Sequence, residues 1–140
     1  MTIENIQNEL IDEFSMFEDW EERYQYMIDL GKDLPLIDPQ YKTDSNIIRG
    51  CQSKVWVHAE MKADKIEFTA DSDAIITKGI IAILIRVFSN QSPKDIIDAE
   101  MDFIDKIGLK EHLSPTRANG LVSMIKQLKM YAIAYRTQLK

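Results

Sequence analysis

Cys51 is the only cysteine among 140 residues, and it sits in Arg49-Gly50-Cys51-Gln52-Ser53-Lys54, immediately before a strand-like run. Gly50 admits backbone conformations closed to other residues, so a tight loop can carry the thiol at its tip. Arg49 and Lys54 are placed to favour the thiolate, the nucleophilic form. The competing reading is a small buried residue at a strand edge, because free cysteine is among the most buried residue types. A dithiol oxidoreductase needs a resolving cysteine, which this chain lacks. A thiol protease needs a base and an orienting group, and neither His58 nor His112 lies in such a signature. One accessible thiol does suffice for sulfur relay, in which a thiolate attacks a persulfide and takes its outer sulfur, as in thiol–disulfide exchange.

The remaining chemistry-bearing residues read more plainly. His58 and His112 lack metal-ligand spacing. His58 reads as a side chain on the less buried face of a sheet, and His112 as a helix-end residue. Asp71 and Asp73 are either paired carboxylates or, at lower cost, caps for the helix that follows. Arg117 falls in the first turn of a helix, where a cation opposes the dipole, which hints at an ion pair or a partner contact. Trp20, Tyr24 and Tyr26 read as core. Gly79, inside a helical stretch, costs about 1 kcal/mol relative to Ala, so another backbone is expected to pack against it.

The elements that must position these residues follow from periodicity. Ile3, Ile6, Leu10 and Phe14 predict a first helix, and 19–30 a second that Gly31 would end. Residues 34–45, with Pro35 and Pro39, read as an extended loop. Val55, Val57, Ala59 and Met61 alternate with Lys54, Trp56, His58 and Glu60, the pattern of a half-buried strand. Lys62-Ala63-Asp64-Lys65 predicts a hairpin turn, 66–69 a second strand and 46–49 a third. Residues 74–88 form a helix apolar nearly all round, which belongs in the middle of a core. Ser92-Pro93 and Ser114-Pro115 each start a helix, the latter carrying a stripe of Leu121, Ile125, Leu128, Ala132 and Tyr135. The expected fold is one α+β domain over 1–140, with a small antiparallel sheet of about three strands packed against N- and C-terminal helices.

Composition narrows the function classes. Net charge is -6 and the pI about 4.9, the opposite of a general nucleic-acid binder. One cysteine rules out an intramolecular disulfide and any multi-thiolate metal site within one chain. Met1-Thr2-Ile3-Glu4-Asn5 has no basic region before an apolar run. The stretch 74–88 is interrupted by Lys78 and Arg86 and falls short of the roughly 20 residues of a membrane span. A cytoplasmic protein without a membrane partner is expected. Residues 1–33 carry ten acids against Arg23 and Lys32, and 106–140 carry seven bases against Glu111. Either these ends steer a protein partner, or they are solvated faces that attract each other within the fold.

The run Gly50-Cys51-Gln52-Ser53-Lys54-Val55-Trp56-Val57 resembles the SufE family of sulfur acceptors. So do Trp20-Glu21-Glu22-Arg23-Tyr24, Leu30-Gly31 and Leu34-Pro35 toward the N-terminus. Asp71-Ser72-Asp73-Ala74 with Lys78-Gly79, and His112-Leu113-Ser114-Pro115-Thr116-Arg117 with Gly120-Leu121, complete the family order over nearly the whole chain. Departures such as Thr116 and Asn119 are chemically small. The resemblance implies an α+β fold shared with IscU-like scaffolds. Those scaffolds hold a cluster with three cysteines, which one thiol cannot match. It implies that Cys51 accepts sulfane sulfur as a persulfide from a pyridoxal-phosphate cysteine desulfurase (SufS- or CsdA-like), stimulates that enzyme, and passes sulfur to the SufBCD scaffold. The chain would then be a carrier rather than an enzyme, with no cofactor of its own. It also implies a cysteine loop shielded at rest, with Gly50 as a hinge, Gln52 and Ser53 in the loop, and Asp71, Asp73 and Arg117 near the loop and the partner surface.

Two other readings stay open beside sulfur carriage. One is a binding module that regulates a desulfurase or another partner without carrying sulfur. The other is a thiol switch oxidised at Cys51. The desulfurase, the sulfur's destination and the oligomeric state, a homodimer included, are also open.

Overall fold

A computed structural model describes residues 2–138. Met1 and Lys140, which the readings of the N-terminus and the basic end include, lie outside the described residues. Helix α1 (Ile3–Ser15) buries Ile3, Ile6, Leu10 and Phe14 as its spacing requires, and Thr2 caps it by accepting the Asn5 N–H at 3.1 Å. Helix α2 (Trp20–Lys32) is capped by Asp19, which accepts the Glu22 N–H at 2.8 Å. Gly31 does not end this helix. It lies inside the last turn, and a Cβ there would sit 3.1 Å from the Gly79 backbone nitrogen. Its role is close approach to another helix, not a left-handed cap.

Strands β1 (Val55–Lys62) and β2 (Lys65–Ser72) pair antiparallel from Val55↔Ser72 to Lys62↔Lys65, around the expected turn at Ala63 and Asp64. The second strand is longer than 66–69. The third strand is absent. Residues 44–46 form a 3-10 turn, and 46–49 contribute a single bridge, Ile47 to Trp56, with the Ile48 N–H donating to the Val55 carbonyl at 2.8 Å. Local bonds compete with a ladder here, since Asn46 Nδ2 donates to the Tyr41 carbonyl at 2.6 Å. Gly50, at φ +94°, then turns the chain away. The outer edge of β1 is covered by the last helix instead, whose Tyr131 and Tyr135 hydroxyls donate to the Val57 and Ala59 carbonyls at 3.4 and 2.9 Å. Side-chain plugs of this kind protect a sheet edge from further pairing.

Helix α3 (Ile75–Phe88) is buried along nearly its whole length, as expected of a central element. It lies against β2, α2, α1 and the last helix. Two short helices follow α4 (Pro93–Asp98): α5 (Phe103–Lys106) and α6 (Leu109–His112). Ser92 accepts the Asp95 N–H, and Ser114 accepts the Arg117 N–H at the start of α7 (Pro115–Gln138). Both Ser-Pro helix starts are thus present. Trp20 and Tyr24 are partly buried, with Trp20 stacked on His112 at 3.9 Å between ring centroids. Tyr26 packs edge-on against Phe14 and donates to Glu13, which also accepts from Arg86 of α3. The Arg86 bond lowers the Glu13 carboxyl below its usual range despite partial burial, and burial with the Glu13 bond pushes Tyr26 up to about 12.

Candidate functional site

Ile48 is buried at the base of the Cys51 loop, and Gly50 makes the turn that lifts it. A side chain on Gly50 would be strained at positive φ and would collide with Ser123 of α7. The loop rejoins the sheet at Lys54, which is held three times. Its N–H donates to Asp73 Oδ1 at 3.0 Å, and its carbonyl accepts from Ser72 Oγ at 2.9 Å and from the Asp73 N–H at 3.2 Å. Asp73 therefore fastens the far end of the loop and does not cap α3, whose cap residue Ala74 has no side-chain bond. Asp71 does not cap it either. Strand β2 runs on through Ser72, so Asp71 is directed by the sheet, and Asp73, just past its end, turns to the Lys54 backbone. Asp71 accepts from Lys42 Nζ at 2.9 Å and lies 3.4 Å from Lys78 Nζ. Burial raises its carboxyl, but Lys42, the Ser72 N–H and Lys78 outweigh that and hold it below the usual range.

Cys51 itself is half-buried, and its Sγ–H donates to the Gly120 carbonyl at 3.6 Å. A cavity of about 40 Å³ adjoins it, walled by Ser53, Thr77, Ile80, Gly120 and Met124 and completed by Gln52, Thr116 and Arg117. Burial pushes the thiol up. The expectation that Arg49 and Lys54 favour the thiolate is overturned, because both side chains are exposed to water and neither offsets the burial.

The structure gathers Cys51, Gln52, Ser53 and Arg117 around one cavity, with Gly50 and Asp73 at the two ends of the loop. Asp71 lies apart, in a separate cavity over the outer sheet face with Lys42 and His58. Arg117 is exposed, and among the described residues no ion pair engages it. Arg117 was singled out from its residue type and place in a helix, whereas the cavity residues Thr77, Ile80 and Met124 were not. Gly120 offered a signal, being a glycine inside a helical stretch like Gly79. His58 stacks on Tyr41 at 3.7 Å and bonds Glu60, while His112 accompanies Trp20, so each histidine has a local structural role.

An α+β fold that presents one half-buried thiol on a loop turned by a glycine of positive φ defines a class of thiol-bearing protein, and comparison with known proteins places the chain within it. The SufE family, described as an Fe–S metabolism associated domain, matches residues 8–132. A SufE-like protein of Rhizobium meliloti is 44% identical over 131 residues, covering 89% of this chain and 93% of the relative. Another from Rhizobium etli is 39% identical over 128 residues, covering 87% and 86%. The chain belongs to the SufE family, and its role lies in Fe–S sulfur metabolism. A solution structure of a hypothetical protein from Thermus thermophilus shares the fold, with a TM-score of 0.79 at 20% identity over 94% of this chain and 96% of that one. Among the described residues no helix is long and apolar enough to cross a membrane.

Proposed function

We propose that Cys51 accepts sulfane sulfur from the active-site persulfide of a pyridoxal-phosphate cysteine desulfurase, SufS- or CsdA-like, and hands it to a SufBCD-type scaffold. The observation that carries this reading is the sole cysteine of a SufE-family chain, half-buried against a cavity of about 40 Å³. The Cys51 thiolate attacks the outer sulfur of the partner's persulfide. A new S–S bond forms at Cys51, the partner's S–S bond breaks, and the departing thiolate takes up the proton that Cys51 gave up. The exchange is redox-neutral and calls on no cofactor of this chain. It suits the cytoplasm, where free thiols persist.

Burial pushes the resting thiol up, and the reaction would proceed with the Gly50 loop swinging Cys51 out against the partner. Arg117, Gln52 and Ser53 border the cavity and would meet the partner first. Burial of the thiol also favours the competing reading, a binding module that stimulates a desulfurase without carrying sulfur. Desulfurase turnover with added wild type or Cys51→Ser separates the two. Carriage predicts stimulation by wild type only, whereas equal stimulation by both would leave binding alone as the function.

A further inference from the structure

Three glycines at helix or loop contacts differ in what a side chain would meet. At Gly79 a Cβ collides with the Met27 backbone, and at Gly50 with Ser123. At Gly120 a Cβ would lie 3.4 Å from Cys51 Sγ and 3.8 Å from its Cα and Cβ, which is ordinary van der Waals contact. Gly120 sits in the second turn of α7 with no positive φ, so neither backbone conformation nor close packing demands glycine there. Glycine in a helix is unfavourable relative to alanine. The space a methyl would fill lies directly against the reactive sulfur, in the same 40 Å³ cavity.

We propose that Gly120 keeps open the room beside Cys51 that the outer sulfur of a persulfide occupies. The inference rests on the reading of Cys51 as a persulfide carrier and names a residue that positions the sulfur it carries. A methyl at position 120 leaves the thiol seated but displaces the outer sulfur into water.

The test loads Cys51 with inorganic tetrasulfide, so that no desulfurase is needed. The thiolate attacks a terminal sulfur, a trisulfide dianion leaves with the electron pair, and the thiol proton goes to buffer. After removal of excess polysulfide, cyanide takes the outer sulfur as thiocyanate and returns the thiolate. Wild type and Gly120→Ala should each gain about 32 Da, and Gly120→Ala should surrender that sulfur about tenfold faster, because access governs such exchange. Unloaded Gly120→Ala should match wild type in circular dichroism, with a thermal midpoint equal or higher, which excludes a general structural effect. Equal persulfide lifetimes in wild type and Gly120→Ala would overturn the proposal. If lifetimes differ but a desulfurase never loads Cys51, the carrier reading falls and the role of Gly120 stands. If a desulfurase loads both variants with equal lifetimes, the reverse holds.

Discussion

On the proposed carrier reading, Cys51 is inert while it waits and nucleophilic when its partner arrives, and its surroundings fit the first half. The thiol is half-buried, donates to the Gly120 carbonyl, and is pushed up by burial with no cation to offset it. A raised pKa keeps the neutral form until the pH climbs through the shifted value. Alkylation of Cys51 by iodoacetamide should therefore rise with a midpoint above the about 8.5 of free cysteine. A midpoint at or below that value would contradict the resting site described above. The loop thiol and the turn at its glycine were legible in the sequence because their types and adjacency suit a tight loop. The thiol's protonation was not, because it depends on which way Arg49 and Lys54 point and on residues from two helices far along the chain. Thr77 and Ile80 come from α3, Gly120 and Met124 from α7, and only the tertiary fold brings them to Cys51.

Among the elements, the crossing of α2 and α3 sets the interior. Gly31 and Gly79 let the two backbones touch, and a Cβ at Gly79 would come within 2.9 Å of the Met27 carbonyl carbon. Helix propensity alone favours alanine there, whereas overpacking costs about 1–3 kcal/mol. Gly79→Ala should lower the urea midpoint accordingly, and an unchanged or higher midpoint would show that the helices can part at no cost. The helices were readable because the 3.6-residue spacing of their apolar positions survives burial, as in Ile3, Ile6, Leu10 and Phe14. The sheet was readable from alternation in β1, but its extent was not. Hydrogen bonding by Asn46 and the turn at Gly50 end the pairing at one bridge, and β2 extends past Thr69 to Ser72. That extension also carries Asp71 and Asp73 away from helix capping, into contacts with Lys42 and Lys54.

Across the whole molecule the charge is polarised. Among the described residues no ion pair joins the acidic 1–33 segment to the basic 106–140 segment. Glu9 and Glu13 pair with Arg86 of α3 instead. With no direct ion pair between the two segments among the described residues, we propose that they steer a protein partner. Association with a desulfurase should therefore slow by about threefold or more between 20 and 200 mM salt, and a salt-independent rate would show that steering plays no part. The most direct test of the central claim is the intact mass of the protein after incubation with an active cysteine desulfurase and L-cysteine, measured without reductant. Carriage at Cys51 predicts a gain of about 32 Da that disappears on reduction and never arises in Cys51→Ser. An unchanged mass, with the desulfurase turning over and the two proteins bound, would contradict it.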